Sequence, residues 1–524
     1  MRRRVDIISP ARRHAQMSSA RVRIAVVGGG VSGLALASFV RERDRERERF
    51  HVTVFDTGAR ACGGRLSSKS IDGVDVDHGA QYFTLASETA RASFAAPLAS
   101  IGALKTWSSD AVGIVRADGT REAFGDETTR YVGCDGFRGV AAALEVHADE
   151  VRRPQWVGAM TASKRDARGD VVAWSLATSD GARAKRLGEF DFVVIAHNGK
   201  CAHRLASTAK EADGRSSCEK LKNALRCGFG VRPNEALARE NKLILSSVWS
   251  AMIVFEGNIE LADGLQGAHV VDGEPLSWVS NISAKRGETS RETTRVVLQS
   301  TAEYGRDNKV PQEAVPEEKS LEVMETLVAA LEKTLGHAPG TLRSKVKTFK
   351  TQLWGAANPL TVCNVPCVLD LKSSTAAIGD WCTSGAPCVE SAVLSAHALA
   401  RVLDERFSEA GPSEATKRLD AARPRWSVPV GGASAQGGFP GTTVPAMKRR
   451  VARSRSIRWA REWARKWARK WARKWAREAR RPRSRGTRRK VARRARRGAA
   501  RRGVVNARRF SSHECVVPTV VPHR

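Results

Sequence analysis

Hydrophobic and polar positions alternate along this 524-residue chain in blocks that read as strand, helix, strand. "RIAVVGGG" is a short, continuously apolar run of the kind a parallel strand shows when both faces are covered. "VSGLALASFVRERDRERER" predicts a helix with a charged end, and "HVTVFD" a second strand, so residues 23–56 predict a βαβ unit. The run "FDFVVIAHNG" has the same buried-strand character, and "TAAIGDWCTSG" followed by "CVESAVLSAHALARVLDERF" repeats strand, loop and helix. One nucleotide-type domain is therefore expected from distant segments, 23–90 with 130–200 and 350–407. Between them, 242–256, 267–283 and 293–300 read as strands, "EEKSLEVMETLVAALEKTLG" as an amphipathic helix and "LRSKVKTFKTQLW" as a further strand. Residues 91–129 with 201–349 then form an inserted mixed-sheet α+β substrate domain. The fold class is α/β, with a Rossmann-like domain carrying that insertion.

Residues 411–446 are rich in Gly, Pro, Ser and Ala and lack hydrophobic periodicity. The folded part is expected to end near Phe407, leaving 408–524 as linker and low-complexity tail. The tail holds "WAREWARKWARKWARKWARE", with Trp459, Trp463, Trp467, Trp471 and Trp475. A four-residue spacing advances about 400° on a helix, so the tryptophans form a slowly winding stripe. Two readings stand: a basic amphipathic helix for an anionic membrane or nucleic acid, or GC-rich low-complexity sequence, a gene-model artefact included.

Charge changes the picture only at the ends. Of the net +33, residues 441–524 hold +27 and residues 1–23 hold +6, leaving the body neutral. The basic balance therefore does not make the body a nucleic-acid binder. The leader, residues 1–22, is arginine-rich and nearly free of acids; it fits a plastid or mitochondrial transit peptide, or an untargeted leader of a cytoplasmic protein, with Met17 as an alternative start. Ten scattered cysteines without a C-x-x-C pair suit buried, reduced thiols and no metal site. No apolar run reaches the roughly 18 residues of a membrane helix, so a soluble intracellular protein is expected.

The chemistry starts at Gly28, Gly30 and Gly33, which satisfy G-x-G-x-x-G between a strand and a helix. Such glycines allow a tight turn, close approach of backbone N–H groups to a pyrophosphate, and helix-to-strand packing. Asp56 closes the second strand, where a carboxylate can accept from ribose hydroxyls. A second glycine pair, Gly63 and Gly64, followed by Arg65, can bring amides and a guanidinium to another side of a diphosphate.

G-x-G-x-x-G, an acid and then G-G-R-x-x-S together resemble the flavin-containing amine oxidase superfamily. "DHGAQYFT", "YVGCDGFRGVAAAL", "PLSWVSNISAKRG" and "AIGDWCTSGAPCVESAVLSAHALA" are similar to the renalase branch in its plant and algal form, with gaps, over residues 23–405. The resemblance implies non-covalent FAD, since no flavin-linking cysteine motif is present. It implies Gly28, Gly30, Ser32 and Gly33 on the pyrophosphate, Asp56 on the adenosine ribose, and Gly63, Gly64 and Arg65 on the phosphate and ribityl region. Gly379 and Asp380 would bind the ribityl side and the helix from Val389 would aim its dipole at the flavin. Gly79, Ala80 and Gln81 would lie beside the isoalloxazine, and Val157 at the adenine. Gln81, Tyr82, Trp278, Trp354 and Asn358 are candidate cavity residues, the tryptophans being equally well read as core. His197 is read as structural. The implied activity is hydride transfer from a small substrate, such as a dihydropyridine isomer of NAD(P)H, with reoxidation by oxygen or another acceptor. Oxidation of an amine, polyene or porphyrinogen is the alternative, and a scaffold held by the basic tail to nucleic acid or membrane the second.

Overall fold

A computed structural model describes residues 21–429, apart from 117, 125, 212–214, 262–263, 289–291, 313 and 384. Most of the basic leader and the whole tryptophan repeat lie outside the described residues. Six strands form the sheet that carries the glycine turn, in the order 368–370, 375–377, 192–195, 22–27, 50–55, 150–152. All neighbours are parallel except the first pair. Its central strands, 22–27 and 192–195, are largely apolar on both sides because both sides are covered. Ile24 and Val26 face helices Val31–Arg43 and Val389–Arg406, whereas Ala25, Val27 and Val193 face Trp174, Leu176 and Phe190 of a three-stranded antiparallel sheet.

A seven-stranded sheet follows the order 346–354, 248–256, 293–300, 276–281, 267–271, 112–116, 121–123. It is antiparallel except between 267–271 and 112–116. Trp249, Ile253, Phe255 and Leu298 pack against Met324, Leu327, Val328 and Leu331 of helix Glu317–Leu335. On the other face Met252, Val254 and Val297 meet Ile71 and Val76 of the hairpin 68–77, which leads into "DHGAQYF".

Several elements depart from the expected pattern for physical reasons. The first helix stops at Arg43 rather than running through the charged segment, because the buried Asp44 carboxylate accepts from the backbone N–H groups of Glu48, Arg49 and Phe50 at 2.9–3.3 Å. That turn delivers the chain to the second strand. The run 267–283 is two paired strands, 267–271 and 276–281, reversed through Asp272 at φ +58°. Phe94, Ala95 and Leu98, and likewise Ala202, Leu205, Leu221 and Leu225, pack with the six-stranded sheet, although the sequence pattern groups 91–129 and 201–349 with the second domain. No helix among the described residues is long and apolar enough to cross a membrane. The nine described cysteines are all free, six of them buried.

The largest correction is at the C-terminal end. Secondary structure continues past Phe407: helix Glu414–Ala421 is followed by Trp426–Ser427, which pairs with Val362–Cys363. Trp426 stacks on buried Trp381 with ring centroids 5.6 Å apart, and the Asp420 carboxylate accepts from Leu371 N–H at 2.8 Å. The expected boundary fails because a short Pro- and Arg-containing segment carries no periodicity of its own and is held only by what it lies on. A chain ending at Phe407 is expected to melt about 1 °C or more below one ending at residue 429, since an aromatic pair alone is worth about 0.5–1.5 kcal/mol. Equal melting temperatures in differential scanning calorimetry contradict this packing.

Candidate nucleotide site and its polar chamber

Strand 22–27 ends in Gly28 at φ +118°, where a Cβ would lie 2.9 Å from the Ala196 carbonyl. A Cβ on Gly33 would sit 2.1 Å from the Gly28 oxygen, so the turn closes only with glycine at both positions. The second glycine turn is stitched to the first: Gly63 N–H donates to Gly29 C=O at 2.7 Å, and Gly30 and Gly63 form a backbone bridge. Gly63 and Gly64 take φ of +120° and +58°. Gly30 is different from Gly28 and Gly33, because a Cβ there would meet nothing closer than Gly63 O at 4.0 Å. Open space therefore lies in front of the turn. Helix Val31–Arg43 begins at this spot with no side-chain cap and no acidic residue in its first turn. Its free N–H groups and positive dipole end suit an anion. The Ser32 hydroxyl is turned away, towards the Ala196 carbonyl at 3.4 Å, so Ser32 offers its backbone to the open space.

Asp56 lies beside this turn. Its Oδ2 accepts from Gly29 N–H at 2.9 Å and its Oδ1 from Gly58 N–H at 2.7 Å. Burial pushes its carboxyl above the usual aspartate value, against the pull of those two N–H groups. Gln155 N–H donates to the Asp56 carbonyl at 2.7 Å, which places the segment leading to the buried Val157 at the same strand end.

Arg65 and Asp380, expected separately on the cofactor, meet each other. The guanidinium grips the carboxylate through two bonds of 2.7 and 2.8 Å and also donates to the Ala357 carbonyl at 2.8 Å. One arginine thus ties together the second glycine turn, "GDW" and the 355–358 turn that follows strand 346–354. Gly379 is confined by Trp381, whose indole would lie 2.5 Å from a Cβ. The helix that starts at Val389 also lacks a side-chain cap. His197 holds Val27 C=O through Nδ1 at 2.9 Å, a structural bond at the end of the first strand.

The 79–82 loop is anchored to the same turn, with Ala80 N–H donating to Arg65 C=O at 2.9 Å. It faces one row of the seven-stranded sheet, in which Gln352, Ser250, Gln299, Trp278 and His269 are successive cross-strand partners. Gln81 and Gln299 are fully buried, and both Nε2 groups donate to Gly79 C=O, at 3.2 and 2.8 Å. The Tyr82 hydroxyl is 3.0 Å from His269 Nε2, and Trp354 Nε1 donates to His78 C=O at 2.9 Å. Asn358 is buried beside Ser246, on the side where Arg65 reaches Ala357. Gly267 makes room for the indoles of Trp107 and Trp278, both within 3 Å of where its Cβ would be.

Sequence reasoning missed Ser250, His269, Gln299 and the buried pair Lys285–Asp77, whose Lys285 Nζ lies 3.4 Å from Asp77 Oδ2 and 2.7 Å from Gln81 C=O. The available signal was a polar residue inside an otherwise apolar strand, as in "VWSAMIVFE" and "GAHVV"; Gln299 lies in the mixed strand "TTRVVLQS" and carried no such mark. Burial holds the Lys285 ammonium below the usual lysine value, although Asp77 pulls the other way.

The turn and the parallel sheet define a Rossmann-type nucleotide-binding domain. Residues 26–96 match the family model for the NAD(P)-binding Rossmann-like domain. Among solved structures, the chain is similar to a reduced UDP-galactopyranose mutase, at 9% identity over 77% of this chain and 98% of that one, with a TM-score of 0.49. It is similar to a wild-type putrescine oxidase bound to putrescine, at 13% identity over 73% and 99%, with a TM-score of 0.44. It is also similar to a tetracycline destructase, at 14% identity over 76% and 86%, with a TM-score of 0.41. Identities this low leave the functional reading to the site itself.

Two buried histidines give the chamber a pH signature. Burial pushes His78 and His269 down to about 3, with Lys69 and Arg130 respectively acting in the same direction. The unfolded chain therefore takes up protons first as pH falls. Stability present above the ordinary histidine value of about 6.5 is lost between there and about 3, by at most about 1.4 kcal/mol per pH unit for each group. In a melting series against pH, His269→Gln, which keeps an acceptor for Tyr82, is expected to have a shallower acid limb than the wild type. Identical limbs contradict a buried neutral His269.

Proposed function

We propose that this protein is an FAD-dependent oxidoreductase that takes a hydride from a small substrate, and that the substrate is a dihydropyridine isomer of NAD(P)H. The observation that carries the reading is the pair of bridged glycine turns, open at Gly30 and lying under an uncapped helix N-terminus. The residues fit the cofactor. The free N–H groups at the start of helix Val31–Arg43, at Gly30, Ser32 and Gly33, with Gly64, would hold the pyrophosphate over the turns that Gly28 and Gly63 close, and Asp56 the adenosine ribose, with Val157 beside the adenine. Asp380, oriented by Arg65, would accept from ribityl hydroxyls, and the helix from Val389 would place its positive end near the ring. Gly79, Ala80 and Gln81 would lie along the ring, with Tyr82, Trp278, Trp354 and Asn358 around the substrate. Bound FAD supplies a hydride acceptor whose electrons pass to oxygen, giving peroxide, or to another acceptor.

The chain's own residues are then needed for orientation and exclusion of water rather than for strong acid–base work. His78 and His269 are neutral, and Tyr82 is pushed up to about 12 by burial. Among the described residues of the chamber, the buried acid is Asp77, and it is already engaged by Lys285, by the Ser68 hydroxyl at 2.7 Å and by Phe137 N–H at 2.8 Å. That arrangement favours a neutral hydride donor over an ammonium, and so the dihydropyridine reading over the amine-oxidase one.

The test is anaerobic mixing of the flavin-loaded protein with dihydropyridine isomers of NAD(P)H, with amines, and with a polyene or porphyrinogen. Bleaching of the visible flavin band by the dihydropyridines alone, and recovery on admitting oxygen with release of peroxide, is the expected result. Bleaching by amines alone replaces the leading reading with the alternative, and no bleaching by any of them contradicts both.

A further inference from the structure

Four fully buried side chains in the chamber have polar atoms without a partner: Gln81 Oε1, Gln299 Oε1, Trp278 Nε1 and Ser250 Oγ. They are neighbours. Gln299 is the cross-strand partner of both Ser250 and Trp278, which puts their Cβ atoms about 4.5–5.5 Å apart on one face. Gln81 joins the group through Gly79 C=O, which accepts from its Nε2 and from that of Gln299. Those bonds settle which way each amide points. The nitrogens are committed to the main chain, so both oxygens are the atoms left over.

A buried polar atom without a partner is costly to the fold, and four together point to a polar group that pairs with them. Two carbonyl oxygens accept, an indole N–H donates, and a hydroxyl does either. An ammonium offers only donors and leaves the indole N–H unpaired; a carboxylate offers only acceptors and faces two oxygens. The group that answers the whole set is neutral and planar, with N–H and C=O on one edge.

We propose that Gln81, Gln299, Trp278 and Ser250 form a subsite for a planar amide edge, either the carboxamide of the substrate or the imide edge of the cofactor's pyrimidine ring. The inference rests on the proposed flavin site for its surroundings, and on the unpartnered atoms for its chemistry. It assigns Gln299 and Ser250, which no motif marks, to recognition of the ligand.

Calorimetric titration of the full chain with three probes tests it: benzamide for the carboxamide, lumiflavin for an imide edge without phosphates, and benzylamine as a cation of similar size. Trp278→Phe removes the N–H and replaces the indole with a smaller apolar ring, and Gln299→Leu removes both amide functions. Benzamide is expected to bind and benzylamine to bind more weakly. Trp278→Phe is expected to weaken the occupant's probe by about threefold to tenfold, the worth of one hydrogen bond. Its melting temperature is expected to fall, because the smaller ring leaves a gap against Tyr82, Trp107 and His269, so affinities are read well below the transition; a core tryptophan without a ligand role would lower the melting temperature and move neither affinity. Loss confined to benzamide identifies the substrate's amide, and loss confined to lumiflavin identifies the cofactor's. Unchanged affinities for both in Trp278→Phe and Gln299→Leu, or equal binding of benzylamine, overturns the subsite. A chain that takes up no FAD would sink the proposed function, while the benzamide titration would still decide this inference.

Discussion

The close approach of two glycine turns is the constraint on which the site depends. Gly28 and Gly33 have no room for a Cβ because backbone atoms stand 2.1–2.9 Å from where it would be, and Gly63 N–H reaches Gly29 C=O at 2.7 Å. Main chain packed this tightly presents main-chain N–H groups rather than side chains to whatever lies in front of it. Everything else in the site is hung from that stitch. Arg65 follows the second turn and grips Asp380 and Ala357, and the Arg65 carbonyl receives Ala80 N–H, which sets the 79–82 loop against the seven-stranded sheet.

A polarity gradient follows from this arrangement. The nucleotide end is lined by backbone dipoles, uncapped helix starts and one paired guanidinium, all suited to negative charge. The chamber end carries two buried histidines held unprotonated, two glutamines and tryptophan indoles, with Lys285 and Asp77 paired to each other. A charged ligand head and a neutral reacting ring would be sorted along that axis. The buried Lys285–Asp77 pair lies behind the 79–82 loop and braces it, with Lys285 also donating to Gln81 C=O. Removing one partner of such a pair costs far more than the pair contributes, so it specifies the loop's position more than it stabilises the fold.

Legibility in the sequence followed how local the cause was. The βαβ unit was readable because a buried parallel strand, a glycine turn and an acid at the next strand end are fixed by contacts within about 35 residues of chain. The pairing of Arg65 with Asp380 was not, since it joins residues 315 positions apart and each was assigned to a ligand instead. Ser250, Gln299 and His269 escaped for another reason. Ser250 and His269 each sit alone in an apolar strand and Gln299 near the end of a mixed one, and only the register between strands brings them into one row. The segment 414–427 was unreadable as structure because its order comes from Trp381, Leu371 and Cys363, not from its own pattern.

The central claim is that a diphosphate lies in the open space between the two turns, and Gly30 offers the most direct test. A methyl group at this position meets no protein atom closer than 4.0 Å, so Gly30→Ala should fold and melt like the wild type while filling the space a pyrophosphate would occupy. The measurement is FAD affinity of the two proteins by flavin fluorescence, alongside their melting temperatures. Tenfold or greater loss of FAD affinity, of the order expected when a close backbone contact is blocked by about 1.4 kcal/mol or more, with unchanged melting is the predicted result. Equal FAD affinity in both proteins, or no FAD binding by the wild type, would contradict the account.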